Sequence, residues 1–243
     1  MAEKKGHVIM EGPDFTKIFI TIFVIVITLV ILWLYKRQKS LRKSIVFTGL
    51  CDSGKTLTFS QLIYNKYVQT HTSTKENVGT YVVNNEVLRI IDIPGHERLR
   101  DKFFDLYKDT VKGIVYIVDS NTIQQDLRDA AEYLYNIMID PVIQKNQPSL
   151  LILCNKQDQT FAKGGSAIKS MFEKELNTLR TTKSSQLESV DLKAKKVAIL
   201  GDVNEYFDFA AIGMKVDIAE SYAYHKDGSV DINGLKTWFL RQT

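Results

Sequence analysis

The chain has 243 residues, 44% hydrophobic and 25% charged, which excludes a disordered, collagenous or disulfide-scaffold protein. Its two cysteines, Cys51 and Cys154, cannot staple a chain of this length, and a reducing compartment fits them best. The net charge of +4 is local. Residues 1–43 hold eight Lys/Arg against Glu3, Glu11 and Asp14, a balance of +5, which leaves 44–243 at −1 and without a basic surface for nucleic acid.

After a short N-terminus (1–17), Ile18 to Tyr35 reads IFITIFVIVITLVILWLY, without a charge, Gly or Pro. At about 1.5 Å per residue a helix of that length matches a bilayer core, and a transmembrane helix is expected over 18–35. Thr21 and Thr28 can return their hydroxyls to the backbone, and Trp33 and Tyr35 sit where interfacial aromatics belong. A basic linker, 36–43, follows with Lys36, Arg37, Lys39, Arg42 and Lys43, which places the C-terminal side in the cytosol. A cleaved signal peptide fits poorly: the run is long, the basic cluster lies after it, and no A-x-A-like site follows.

From residue 44, apolar runs alternate with amphipathic stretches. Strands are expected at 44–49, 80–84, 87–93, 113–119, 150–155 and 214–219, with Asn84-Asn85 turning a hairpin between the second and third. Helical patterns lie at 54–67, 97–110, 123–140, 166–180 and 231–241. This predicts an α/β fold for 44–243: a six-stranded, mostly parallel sheet with helices on both faces. The stretch 181–203 is polar and aperiodic and reads as an inserted surface loop.

Gly49-Leu50-Cys51-Asp52-Ser53-Gly54-Lys55-Thr56 follows the first strand and opens a helix, the context of a phosphate-binding loop, with Leu57 next in the helix. The glycines let backbone N–H groups converge on phosphate oxygens, and the helix N-terminus adds its positive end. Lys55 would reach the β and γ phosphates and the Thr56 hydroxyl would ligate Mg²⁺. Asn155-Lys156-Gln157-Asp158 lies at the end of the fifth strand, where open α/β sheets bind ligands. The Asp158 carboxylate can accept both the N1–H and the exocyclic amine of guanine; adenine offers neither and would leave it desolvated and unpaired.

N-K-x-D resembles the guanine-specificity motif of the GTPase superfamily. On that resemblance Asn155 bridges base and phosphate loop, and the Lys156 stem lies over the ring. Asp92-Ile93-Pro94-Gly95-His96-Glu97 resembles the γ-phosphate sensor. It implies that Asp92 holds Mg²⁺ through water, that the Gly95 N–H meets the γ-phosphate, and that His96 orients the attacking water. A metal-binding hydroxyl is expected within Thr70-His71-Thr72-Ser73-Thr74; spacing to Asp92 favours Thr72, with Ser73 next. Ala223, in Glu220-Ser221-Tyr222-Ala223, matches the backbone donor to guanine O6, although Tyr224 stands where the family has Lys.

The strings GLCDSGKT, T-H-T-S (70–73), DIPGHERLR, CNKQD and FEKELNTLR, with Phe207-Asp208-Phe209 after the insertion, are similar to the beta-subunit family of signal recognition particle receptors, within the Arf/Sar-like small GTPases. The resemblance implies a single-pass endoplasmic reticulum membrane protein that takes GTP and Mg²⁺. It also implies recruitment of the receptor's alpha subunit in a GTP-dependent way, and through it the signal recognition particle and the ribosome, without direct nucleic-acid contact. Hydrolysis would be slow or partner-stimulated, since no intrinsic arginine finger stands out. The rival within the superfamily is an Arf/Sar-like GTPase of vesicle trafficking; Ala2 is not the Gly that myristoylation needs, and 18–35 replaces an amphipathic helix.

Overall fold

A computed structural model describes residues 15–40, 44–189, 200–201 and 205–242. The chain divides into two compact units, 1–41 and 42–243. The first contains one helix, α1 (Phe15–Ser40). Its side chains from Phe19 to Ile31 are exposed, and the Thr28 hydroxyl donates to the Ile25 carbonyl at 2.8 Å, as its position in an apolar helix demands. Among the described residues no helix is long and apolar enough to cross a membrane. The side chains described in α1 run from 19 to 31, so the expected span 18–35 reaches past them at both ends.

The second unit contains β1 (Ser44–Thr48), α2 (Lys55–Tyr64), β2 (Asn77–Val83), β3 (Glu86–Asp92), α3 (Glu97–Tyr107), β4 (Val111–Asp119) and α4 (Ile123–Ile139). It continues with α5 (Pro141–Asn146), β5 (Ser149–Asn155), α6 (Gly165–Ser189), β6 (Val216–Glu220) and α7 (Asn233–Leu240). The strands form one sheet in the order β2-β3-β1-β4-β5-β6. Only β2–β3 is antiparallel. The expected hairpin turns on Asn84 (φ 49°) and Asn85 (φ 62°), the two left-handed positions that a tight hairpin requires.

Alternation along the strands splits the core into two layers. Val46, Tyr116 and Ile152 face one side, with Tyr133, Leu134, Phe172 and Leu176 of α4 and α6. Ile45, Phe47, Val115 and Leu151 face the other, with Phe59, Leu235, Trp238 and Phe239 of α2 and α7. The central strands are therefore apolar throughout, and their polar ends fall at one edge: Thr48, Asp92, Asp119 and Asn155.

Two expectations change. The stretch 181–189 is not loop but the end of α6. Its hydroxyls bond back to the helix: Thr181 to the Asn177 carbonyl, Thr182 to Thr178 and Ser184 to Thr181, at 2.8–2.9 Å. Lys183 adds a contact to α4, 3.0 Å from Asn136 Oδ1 and 4.6 Å from the Tyr135 ring centre. Residues 190–199 and 202–204 of the expected insertion lie outside the described residues. The short α5, which periodicity passes over, starts on Pro141 with the Asp140 carboxylate accepting from Val142 N at 2.8 Å and Ile143 N at 3.3 Å.

Candidate functional site: a phosphate-loop cleft at the sheet edge

β1 stops at Thr48 because the chain must turn sharply beneath β4. Gly49 has φ +138°, and a Cβ there would lie 2.2 Å from the Ile117 carbonyl oxygen. The loop closes at Gly54 (φ +86°), whose carbonyl accepts from Thr58 N at 2.9 Å to begin α2. Cys51 and Asp52 are exposed at the loop's crest. Lys55 is buried beneath it, Nζ donating to the Leu50 carbonyl at 2.5 Å and lying 3.4 Å from Ser53 Oγ. Burial pulls the Lys55 pKa down, opposed by the charge of Asp92. A buried ammonium with so few partners is poised for an anionic one.

Asp92, at the end of β3, faces it. Its Oδ2 accepts from Thr56 Oγ1 at 2.8 Å and from Asn77 Nδ2 at 2.9 Å, while the buried Oδ1 has no hydrogen-bond partner. Burial raises its pKa, with the Asn77 and Thr56 bonds opposing. The Ser73 hydroxyl lies 3.3 Å from Thr56 Oγ1. Of the candidate hydroxyls, then, Ser73 rather than Thr72 meets the Thr56–Asp92 pair. Thr70, His71 and Thr72 line the same cleft with Cys51, Asp52, Gly54, Lys55, Thr56 and Gly95, around about 420 Å³ of open space. A Cβ on Gly95 would fall 2.5 Å from Lys55 Nζ and 2.9 Å from Cys51 N, so this glycine is needed for the third segment to close on the loop. Leu57 is half-buried in the first turn of α2.

The other end of the site is tied to the loop by one side chain. Asn155 Nδ2 donates to the Ser53 carbonyl at 2.9 Å, and its Oδ1 accepts from Ser221 Oγ at 3.3 Å. Lys156 takes a left-handed backbone (φ 63°) and its ammonium pairs with Asp119 Oδ2 at 2.5 Å. Asp158 is half-buried in the turn that Gln159 N closes on the Lys156 carbonyl at 3.1 Å. Gln157 N donates to the Ser221 carbonyl at 3.1 Å, joining this turn to the loop carrying buried Ala223.

His96 is exposed and caps α3, its Nδ1 accepting from Arg98 N at 3.3 Å. It does not line the cleft. Sequence reasoning missed Asn77, Asp119 and Arg100. Asn77 reaches Asp92 because the β2–β3 register sets the two opposite each other, which no local pattern reveals. Asp119 was signalled by the polar end of an apolar strand. Arg100 lies 4.2 Å over the ring of Tyr133, whose hydroxyl is 2.7 Å from Thr48 Oγ1, the residue before the phosphate loop.

Comparison with known proteins places this arrangement. The profile of the family described as Signal recognition particle receptor beta subunit matches residues 40–216. The chain belongs to that family. The mouse signal recognition particle receptor subunit beta is 38% identical over 95% of this chain and 88% of its own length. Among solved structures, the mammalian SRP receptor superposes with a TM-score of 0.73 at 40% identity, covering 82% of this chain and all (100%) of that one. The SRb-GTP/SRX complex from Chaetomium thermophilum, at 20% identity and a TM-score of 0.57 over 82% of this chain and 96% of that one, shares the fold. The beta-subunit relatives thus cover both units of the chain described above, α1 included.

The two cysteines differ in reactivity for a reason visible here. Burial, then the charge of Glu220, pushes the Cys154 thiol up to about 12, so it stays protonated at neutral pH; Cys51 is exposed on the phosphate loop. An uncharged maleimide at neutral pH is expected to label Cys51 and spare Cys154 in the folded chain. Mass spectrometry reading modified Cys154 in the native protein would contradict this packing.

Proposed function

We propose that the chain is the membrane-anchored, GTP-binding subunit of the signal recognition particle receptor, recruiting the alpha subunit to the endoplasmic reticulum in a GTP-dependent way. The observation that carries the nucleotide reading is the convergence of three strand ends on the phosphate loop: Lys55 and Thr56 after β1, Asp92 at the end of β3 and Asn155 at the end of β5. The residues fit a magnesium nucleotide. The orphaned Asp92 Oδ1 beside two hydroxyls is a hard-oxygen donor set of the kind Mg²⁺ takes.

Lys55 would compensate phosphate charge, with Thr56, Ser73 and Asp92 holding the metal, which supplies neutralisation of the β and γ oxygens when bound. Asn155, Lys156, Asp158 and Ala223 would hold and select the guanine. Loops 70–76 and 94–101 are the parts positioned to differ between nucleotide states, and they would form the alpha subunit's docking surface. The Chaetomium SRb-GTP/SRX complex, which shares the fold, supports both the nucleotide and a receptor partner. His96 lies outside the cleft and would have to move into it to orient water, which favours slow or partner-stimulated hydrolysis. Membrane anchoring is supported by the apolar, exposed face of α1 over 19–31 and the basic run after it.

The test uses the full chain in lipid nanodiscs. Capture of the alpha subunit should be at least about tenfold stronger with a non-hydrolysable GTP analogue than with GDP, ~1.4 kcal/mol of coupling. Thr56→Asn should abolish the difference. Equal capture in both nucleotide states by the wild type would refute the switch.

A further inference from the structure

The segment between α2 and β2 crosses the whole site, from the C-cap residue Asn65 to Asn77, with no regular secondary structure before Asn77. Near its far end the Ser73 hydroxyl approaches Thr56, at the phosphate end of the cleft. At its near end the Tyr67 ring lies against Tyr224, centroids 4.6 Å apart and planes tilted by 40°. Tyr224 follows Ala223 in the loop assigned to the guanine, at the position where the family pattern has Lys. Both rings are half open to solvent, at 55% and 42%, so neither is a core residue whose packing needs the contact.

The two partners differ in firmness. Tyr224 is carried by a braced turn: Tyr222 and Asp231 exchange backbone hydrogen bonds at 2.9 Å, His225 N donates to the Ser229 carbonyl at 3.1 Å, and His225 pairs with Asp227 at 2.7 Å. Among the described residues, the chain leading into Tyr67 is held to α2 by the bond from Ser60 Oγ to the Lys66 carbonyl, at 2.9 Å, and the cap bond from Asn65 N to the Gln61 carbonyl, at 3.1 Å. The base-side loop is therefore the anchor and the switch segment is what it holds.

We propose that Tyr67 and Tyr224 form an aromatic tether that couples filling of the base site to placement of the 70–73 hydroxyls. Tyr224 is a positioning residue in this role. It acts on Ser73 through the short stretch of chain that runs from Tyr67. The coupling rests on the nucleotide reading above; the tether itself is a property of the chain. An aromatic contact of this kind changes an equilibrium by about threefold to tenfold.

The test follows release of a fluorescent methylanthraniloyl GDP from the full chain in detergent, together with amide hydrogen exchange of the nucleotide-free chain. Tyr67→Ala and Tyr224→Ala should each speed release about threefold to tenfold. The double variant should be no faster than either single one, and Tyr→Phe at either position should retain the wild-type rate. Melting temperature should barely change, because both rings are exposed. In the nucleotide-free chain, Tyr224→Ala should raise exchange at 65–73 while leaving β4 and β5 protected. Independent, multiplying effects in the double variant, or unchanged exchange at 65–73, would overturn the tether. A wild-type chain that retains no labelled GDP would instead overturn the nucleotide reading and the coupling with it, and exchange would still decide the tether.

Discussion

Lys55→Met is expected to lower guanine-nucleotide affinity by about 2–5 kcal/mol, roughly thirtyfold to several thousandfold, because it removes the buried ammonium from a site built to receive phosphate. The nucleotide-free chain should keep its melting temperature within a few degrees. Methionine loses the 2.5 Å bond to the Leu50 carbonyl but also ends the desolvation of a charge, and the two offset. The pH dependence has a definite sign. The folded pKa of Lys55 lies below 10.5, so the unfolded chain binds more protons between those two values, and wild-type stability rises with pH across that window relative to Lys55→Met. Asp92 acts in a different window. Its folded pKa is raised above 3.8, so its contribution falls as pH climbs from 3.8 to the raised value. Titration calorimetry and thermal melts against pH read both; a variant that still binds GTP like the wild type would remove Lys55 from the site.

Gly49→Ala is the substitution expected to cost most stability. The new methyl would sit 2.2 Å from the Ile117 oxygen and 3.2 Å from its carbonyl carbon, on backbone φ +138° that alanine rarely adopts. β1 or β4 must shift, at about 3–5 kcal/mol and ~10 °C in melting temperature. Gly228→Ala is the control: φ is +82°, but nothing lies within 4 Å of the added carbon, so only the backbone penalty of about 1–2 kcal/mol remains. Equal losses from the two would show that the crossing of the loop under β4 is not a steric constraint.

These residues also show what the sequence could and could not reveal. Gly49, Gly54 and Lys55 were legible because a phosphate loop is a local device: one string sets the turn, the helix start and the buried cation. Asn155 was legible by resemblance, and its bond to Ser53 joins the loop to the base motif. Which hydroxyl approaches Thr56 was not legible. Thr70, Thr72, Ser73 and Thr74 share one aperiodic stretch, and the path of the chain from Tyr67 to Asn77 brings Ser73 there. The end of α6 was misread because Thr and Ser favour loops by composition, yet here their hydroxyls return to their own helix. The pairings of Asn77 with Asp92 and of Asp119 with Lys156 join different strands, so they follow from sheet order and register.

The stacking of Arg100 on Tyr133, with Tyr133 bonded in turn to Thr48, bears on what a partner would feel. It moors the first turn of α3 to the same rigid bed as the phosphate loop. Within 94–101, a change between liganded forms would then fall most heavily on the residues ahead of the Arg100 contact, with the rest of α3 as the firmer bearing surface. A binding protein resting on α3 would gain grip in every form of the molecule, and discrimination between forms would fall to the crossing strand of chain ahead of β2.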